Sequence, residues 1–257
     1  MTNREHVAQA AEAFQEATEA LAGVLPNGFH QRSGAALLAV TGSLIPALNV
    51  IMSVADTPDT ADIGLLCAKA GPHVQELPWS IRVRGDAGTE LVGLAGSHGL
   101  TTLTHQPFML LPLEDEREVW SSGTEPSTVR PLRDDEHEIF ATVLGTAFGA
   151  PAFVITSLYT PHVLGQPFVR AYVAEVDGVA AAAGLAILTE RHVGLANIGT
   201  LPEYRGRGLG RAVTEAILRD GRAAGARTAY LHSGDESVPL FERAGFRTEE
   251  SWTLLTA

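Results

Sequence analysis

The fold of this chain is decided by the stretch Asn197-Ile198-Gly199-Thr200-Leu201-Pro202-Glu203-Tyr204-Arg205-Gly206-Arg207-Gly208-Leu209-Gly210-Arg211. An apolar run precedes Pro202, which has no backbone N–H, so strand pairing must stop there. The glycines and arginines that follow predict a turn. The apolar spacing of Leu209, Val213 and Ile217 predicts a helix after it. The stretch is therefore a strand, a glycine-rich turn and a helix in succession.

Such a turn is suited to binding a pyrophosphate. The first N–H groups of a helix have no partner within the helix, and the helix dipole places positive charge at the same end. Glycine removes the side chains that would block the approach of phosphates. The turn carries three glycines and three arginines, namely Gly206, Gly208, Gly210, Arg205, Arg207 and Arg211.

Three other interpretations of the turn have to be weighed. A P-loop is excluded because no Gly-Lys-Ser/Thr follows the glycines. A dinucleotide-binding turn is disfavoured because the stretch lies late in an antiparallel pattern, without a following βαβ unit and ribose-binding acid. A plain strand-to-helix turn without a ligand stays as an alternative.

The elements around the turn indicate an α+β fold with a mixed, mostly antiparallel sheet flanked by helices. A hairpin is predicted around Asp177-Gly178, a favoured two-residue turn. The other predicted elements of the C-terminal half are helices at 134–148, 208–224 and 238–244, a second short helix that ends near Tyr159, and strands at 129–132, 193–200, 228–232 and 246–255.

The N-terminal half predicts a second α/β domain. Its predicted elements are helices at 4–23, 59–70 and 89–97 and strands within 34–54, at 79–84 and at 106–113. Residues 114–128 are rich in charge and in Ser, Gly, Thr and Pro, which is typical of a linker. We therefore expect domains at 1–120 and 129–257.

Composition limits the classes of partner. The 257 residues carry a net charge of -12 and have a pI near 5.1, which disfavours nucleic acid. Cys67 is the single cysteine, and the histidines do not pair at metal-binding spacing, so no metal is expected. The sequence contains neither the apolar segment of a signal peptide nor a membrane span. These features predict a cytoplasmic protein that does not bind membranes.

Residues 129–257 resemble the GNAT family of N-acetyltransferases. The resemblance is carried by Arg205, Gly208 and Gly210 in the family's Arg/Gln-x-x-Gly-x-Gly/Ala pattern, together with Pro202-Glu203-Tyr204 and the later Leu240–Phe246. It implies a GNAT-like fold and transfer of an acetyl group from acetyl-CoA to an amine of a small molecule or protein. The N-terminal half echoes the end of such a domain faintly, so a degenerate second copy, as in tandem GNAT proteins, is our hypothesis for it.

The resemblance also implies how acetyl-CoA, as cosubstrate, would bind. The backbone of Ile198, Gly199 and Thr200 would pair with the pantetheine arm, in a V-shaped opening between this strand and the next. The turn Gly206–Arg211, with Leu209 at its centre, and Arg205 would hold the pyrophosphate. A backbone N–H at Thr200 or Leu201 would stabilise the thioester oxyanion, and Asp235 would contact the pantetheine.

The catalytic groups match the family less well. Phe241 stands where many relatives carry a tyrosine acid, and Val193–Ala196 has no glutamate base. Substitute candidates are Ser233 and His232 at the end of a strand, with Glu190 and His192 as weaker ones.

Phe153, Tyr159 and His162, within Phe148–Gln166, are candidates for lining the acceptor site, although core packing and loop filling explain them as well. The missing acid and base favour one alternative function, a catalytically impaired CoA-binding regulator or scaffold. A chance motif on a fold that does not bind CoA is a third alternative. A homodimer is also among the expected partners.

Overall fold

The computed structural model describes residues 2–113, 128–133 and 135–257. The chain has the predicted α+β fold and forms two compact units that are interleaved along the sequence. Unit 1 contains the residues up to Met109, together with His232–Glu236 and Thr248–Ala257. Unit 2 contains the described residues of Leu110–Leu231 and Ser237–Arg247.

Unit 1 is built from three helices and a mixed sheet. Its helices are α1 (Asn3–Val24), α2 (Thr60–Val74) and α3 (Gly88–Ser97), and its strands are β1 (Phe29–Ser33), β2 (Ala36–Val40), β3 (Asn49–Ser53), β4 (Ser80–Arg84), the greater part of β5 (Thr102–Pro112) and β11 (Arg247–Thr256). The strand order is β1-β2-β3-β4-β11-β5. β3 and β4 are parallel, whereas β1, β2 and β3 pair antiparallel, as do β4 and β11.

Both faces of this sheet are covered. Leu38, Ile51 and Ile81 pack with the apolar side of α2 and α3. Leu37 and Met52 point to the opposite face, with Ala22 of α1, because successive side chains of a strand alternate between faces. Burial on both faces explains why β2, β3 and β4 are buried along their whole length.

The long first helix was predicted correctly, and its beginning has a local cause. Thr2 accepts a hydrogen bond from the backbone N–H of Glu5, whose carboxylate accepts one from the Thr2 N–H. This capping box satisfies two of the donors that a helix N-terminus leaves open. β1 and the short helix α6 (Pro161–Leu164) were not predicted.

Unit 2 has a five-stranded arrangement, β10-β9-β8-β7-β6, with helices around it. Its strands are β6 (Thr128–Pro131), β7 (Val169–Val176), β8 (Val179–Thr189), β9 (His192–Thr200) and β10 (Thr228–His232), and its other helices are α4 (His137–Phe148), α5 (Ala152–Leu158), α7 (Leu209–Ala223) and α8 (Val238–Arg243). β6 to β9 pair antiparallel, and β9 with β10 is parallel. The hairpin predicted around Asp177-Gly178 is confirmed.

The predicted domain boundaries do not coincide with these units, since the last strand, β11, belongs to unit 1. Residues 114–127, which make up almost all of the predicted linker, lie outside the described residues. Whether 1–120 and 129–257 fold separately stays a proposal. None of the helices in the described chain is long and apolar enough to cross a membrane.

An ion-pair network in unit 2 makes a pH-dependent contribution to stability. Arg130 binds Glu136 and Glu175, and the Glu136 side chain is buried. The hydrogen bond from Arg130 lowers the pKa of Glu136 from its ordinary value of 4.5 to about 2. A carboxylate whose pKa is lower in the folded state stabilises the fold above its unfolded pKa, and this contribution is lost as the pH falls toward the folded pKa.

We therefore expect Glu136→Gln to flatten the loss of stability between pH 4.5 and about 2, as measured by urea unfolding across that range. The control is Glu138→Gln, which changes an exposed glutamate two residues further along the chain. This variant should keep the wild-type dependence of stability on pH. Identical acid profiles for Glu136→Gln and the wild type would contradict the assignment.

Candidate functional site

The parallel ladder between β9 and β10 ends early. It pairs Thr228 to Tyr230 with His192 to Gly194, whereas β9 continues to Thr200. In the described chain, β9 therefore has no register with β10 beyond Gly194. This later part of the edge is not covered by β10, and the sequence predicted that an extended ligand would pair there.

A β-bulge lies in the part of β9 that extends beyond its pairing with β10. Ala196 pairs with Leu185 and Gly199 with Ala183, so Asn197 and Ile198 together oppose Gly184. Asn197 has φ 52°, a left-handed conformation that asparagine tolerates better than most residues. A bulge bends the strand and turns the residues that follow, and those residues are the ones predicted to pair with a ligand.

The bulge is held by Tyr159. The Asn197 Nδ2 donates a hydrogen bond to the Tyr159 hydroxyl oxygen. Tyr159 is 3% exposed and meets Phe140 edge-on at 5.7 Å between ring centroids. Burial raises the pKa of Tyr159 above its usual range, so the hydroxyl stays neutral. The prediction that Tyr159 lines an acceptor site is wrong, because its side chain is enclosed and supports the bulge.

Removing the Tyr159 hydroxyl should lower the free energy of unfolding mainly when the Asn197 side chain is present to donate to it. We expect Tyr159→Phe to destabilise the protein by about 0.5–1.5 kcal/mol, the usual net contribution of one hydrogen bond, because the Asn197 side chain is only partly buried. In an Asn197→Gly background the same change should cost clearly less, because glycine adopts φ 52° freely and has no amide to satisfy. Urea unfolding of the four proteins gives this coupling. Equal costs in both backgrounds would show that the bulge does not depend on Tyr159.

The predicted glycine turn connects β9 to α7 and has open space in front of it. Gly206 and Gly208 have φ of 78° and 82°, and a Cβ built on either would meet no protein atom within 4 Å. Gly208 caps α7 without a side-chain hydrogen bond. The start of α7 therefore combines unsatisfied helix N–H groups with room for a ligand.

The three arginines of the turn have different surroundings. Arg205 donates from Nη2 to the Ala147 carbonyl at 2.8 Å and from Nε to the Thr200 carbonyl at 3.3 Å, so it ties the turn to α4 and β9. The Arg207 guanidinium lies 5.1 Å from the centroid of the Tyr204 ring. Arg211 pairs with Glu215 at 3.0 Å.

Backbone geometry distinguishes between the two N–H groups predicted to stabilise the oxyanion. The Leu201 N–H donates to the Ala181 carbonyl at 2.9 Å and is therefore already used within the sheet. Because successive residues of a strand direct their N–H groups to opposite edges, the Thr200 N–H faces the open edge of β9. Of the two predicted donors, Thr200 is the one that geometry leaves available.

The packing of α4 against β9 also requires a glycine at position 199. A Cβ at this position would lie 2.8 Å from the Ala147 Cβ and 3.2 Å from Leu144 Cδ2. The absence of a side chain thus lets α4 approach β9 closely. Phe148, at the end of α4, is also beside this position and is half exposed.

The predicted catalytic pair, His232 and Ser233, lies in the segment that belongs to unit 1. The His232 ring packs against Phe14, Phe108 and Trp252 at 4.7 to 4.8 Å between centroids. Burial lowers the pKa of His232 well below its usual value, and the charge of Arg82 lowers it further. The imidazole is therefore neutral at pH 7.

Ser233 is buried and tied to its neighbours. Its N–H donates to the Pro107 carbonyl at 3.0 Å, and its Oγ donates to the Gly234 carbonyl at 2.8 Å. Asp235, predicted to contact a ligand, is exposed at the start of a 3₁₀ turn, Asp235–Ser237. Phe241 is buried and meets Phe246 edge-on at 5.9 Å, which makes it a core residue.

The weaker catalytic candidates lie at the wrong end of β9. Glu190 and His192 line a cavity of about 260 Å³ with Pro167, Phe168 and Thr189 among its other walls. β9 has nine residues, and at about 3.3 Å per residue its two ends are roughly 26 Å apart. Neither side chain can therefore reach a reaction at Thr200.

Two other acceptor-site candidates remain accessible. Phe153 is 61% exposed on α5, and His162 on α6 contacts the side chain of Gln166. In the part of the chain that the structure describes, no group of three or more His, Cys, Asp or Glu side chains could hold a metal ion.

Sequence comparison finds a family match in the C-terminal half of the chain. Residues 128–246 match the model of the acetyltransferase (GNAT) family. A glucosamine 6-phosphate N-acetyltransferase of Trypanosoma brucei brucei is 39% identical over 49 residues, which are 19% of this chain and 33% of that protein. The chain thus spans about a third of the length of this curated relative.

Solved structures extend the similarity of fold to most of the chain. A GCN5-related N-acetyltransferase from Kribbella flavida has a TM-score of 0.66 and 18% identity, covering 94% of both chains. A second one, from Sphaerobacter thermophilus, has a TM-score of 0.59 and 14% identity, covering 87% of this chain and 80% of that chain. At these identities the comparison shows the fold alone.

Proposed function

Because residues 128–246 match the model of the acetyltransferase (GNAT) family, we propose that the protein is an N-acetyltransferase that transfers an acetyl group from acetyl-CoA to an amine. The observation that carries the proposal is the early end of the β9–β10 ladder beside the open glycine turn. An extended arm can pair with the edge of β9 while a pyrophosphate reaches the start of α7.

The residues proposed for acetyl-CoA fall into two groups. Ile198, Gly199 and Thr200 supply the strand edge that follows the Asn197 bulge. The turn supplies backbone N–H groups and positive charge, through Arg205, Gly206, Arg207, Gly208, Leu209, Gly210 and Arg211. Asp235, which belongs to neither group, is proposed to contact the pantetheine.

The chemistry is a direct transfer. The neutral amine attacks the thioester carbonyl, a C–N bond forms, and the C–S bond breaks to release the CoA thiolate. Negative charge develops on the carbonyl oxygen, and the Thr200 N–H is proposed to donate a hydrogen bond to it. The amine nitrogen loses one proton, and the thiolate gains one on leaving.

His232 and Ser233 are proposed for the proton transfers. His232 is neutral and could accept a proton, but its lowered pKa makes it a weak base, so Ser233 or a water would have to assist it. Phe241 cannot act as the acid, but a thiolate is a good leaving group near neutral pH and can depart without one.

One alternative has its own support. A CoA-binding regulator without catalysis is favoured by the buried Phe241 and by the hydrogen bond that already uses the Ser233 hydroxyl. Both functions require acetyl-CoA to bind at the same turn.

The acceptor is proposed to be an amine of a small molecule or of a protein. The similarity to the glucosamine 6-phosphate N-acetyltransferase of Trypanosoma brucei brucei suggests amino sugars as the first small molecules to test. A homodimer remains proposed, and light scattering of the purified protein tests it.

The proposed function is tested by thiol release from acetyl-CoA with a panel of amines that includes amino sugars, polyamines and peptides. We expect acetyl-CoA to bind and at least one amine to accelerate thiol release and become acetylated. Binding without transfer to any amine would support the regulator. A folded protein that does not bind acetyl-CoA would overturn both functions.

A further inference from the structure

A buried arginine in unit 1 has no counter-ion among the residues that the structure describes. Arg82 lies in the middle of β4 and is 6% exposed. Its Nη2 donates to Gln106 Oε1 at 3.1 Å, but its Nε is buried and has no hydrogen-bond partner among the described residues. No carboxylate of the described chain lies within 4 Å of it, unlike Arg84, which binds Asp56 and Glu250.

Two further unsatisfied nitrogens lie close by. Both ring nitrogens of His232 are buried and have no hydrogen-bond partner in the described part of the chain. Arg82 and His232 both rest on Phe14, since the Arg82 Cζ is 5.4 Å and the His232 ring 4.7 Å from its centroid. Phe108 and Trp252 also pack against the His232 ring, each at 4.8 Å between centroids.

This arrangement is costly for the protein chain alone. A guanidinium removed from water costs several kcal/mol unless a negative charge or a full set of acceptors replaces the water. A buried N–H donor of a neutral histidine adds to that cost when it is left unpaired. A group that accepts hydrogen bonds from both side chains and carries negative charge would offset this cost.

Charge and shape identify its chemical class. Burial and the neighbouring guanidinium lower the pKa of His232, so the cluster holds one positive charge from Arg82. One negative charge balances it, whereas a phosphate dianion would leave a net charge buried. A planar carboxylate suits the planar guanidinium, and the aromatic rings suit a short apolar remainder.

We propose that Arg82 and His232 form a binding site for a small monocarboxylate, with Phe14, Phe108 and Trp252 as its walls. The carboxylate accepts hydrogen bonds from Arg82 Nε and from one ring nitrogen of His232. The site lies within unit 1, and its occupation does not require acetyl transfer.

Thermal unfolding and calorimetry test this site without acetyl-CoA. Sodium acetate should raise the unfolding temperature in a saturable way, whereas acetamide and sodium chloride at equal ionic strength should not. Arg82→Met should weaken acetate binding by about tenfold to a hundredfold, because it removes a charge-assisted hydrogen bond. Arg32→Met is the matched control. It removes the same charge from a partly exposed arginine of unit 1 that pairs with Glu19, and it should bind acetate like the wild type.

Arg82→Lys serves if Arg82→Met does not fold, because lysine keeps the charge and lacks the Nε donor. It should also bind acetate more weakly. Equal stabilisation by acetamide would point to a water site and overturn the proposal. Tighter binding of inorganic phosphate than of acetate, or unchanged acetate affinity in both variants, would overturn it as well. None of these results depends on whether the protein acetylates amines.

Discussion

Gly208→Asp is expected to weaken acetyl-CoA binding by about a hundredfold or more, which is roughly 2.7 kcal/mol. A Cβ at Gly208 meets no protein atom within 4 Å, so the new side chain fits the folded protein and occupies the space in front of α7. Its carboxylate would then repel the pyrophosphate at the helix N-terminus. Isothermal titration calorimetry with acetyl-CoA measures the loss.

The control for this variant is Gly178→Asp. Gly178 has φ 80°, close to the 82° of Gly208, and its Cβ position is equally open, but it lies in the β7–β8 hairpin. Both variants carry the same backbone strain of about 1–2 kcal/mol and the same added charge. Gly178→Asp should bind acetyl-CoA normally. Equal affinity of the two variants would place the cofactor elsewhere.

The turn was predictable because its signal is local. A proline that ends a strand, glycines at 206 and 208 and an apolar helical period all lie within one stretch of sequence. The structure confirms the strand, the turn and α7 there. Helix and strand types were predicted in most of the chain for the same reason, since they follow from spacing within each segment.

The partner of β11 could not be predicted in this way. The sequence predicts a strand at 246–255, but no local pattern reveals that Trp252 to Leu255 pair with Ile81 to Arg84 of unit 1. Sequence order suggested that this strand completes the C-terminal half. Pairing between segments more than 160 residues apart is decided by packing, which no local pattern contains.

The bulge and the buried cation were missed for different reasons. Asn197, within a short apolar run, is a weak signal for a left-handed residue, and its tie to Tyr159 is a contact between distant segments. Arg82 stands in a strand that alternates polar and apolar residues, a pattern that usually leaves the polar face in water. Here Phe14 of α1 covers Arg82 on that face, so this arginine is buried.

Trp252→Ala is expected to destabilise the protein by about 3–5 kcal/mol, the usual cost of removing a large buried aromatic side chain. Trp252 is fully buried and packs against Phe14, Phe108 and His232. The loss should therefore reach α1 and β5 as well as β11. Urea unfolding followed by circular dichroism measures it.

The matched control is Trp79→Ala, which removes the same side chain from a partly buried position in unit 1. Because that position loses less buried apolar area, it should cost clearly less than Trp252→Ala. A cost for Trp252→Ala no larger than that of Trp79→Ala would contradict the packing of β11 described above. We expect this difference because the last strand of the chain belongs to unit 1, whose other strands come mostly from the N-terminal half. Trp252 of that strand lies among the aromatic side chains of unit 1.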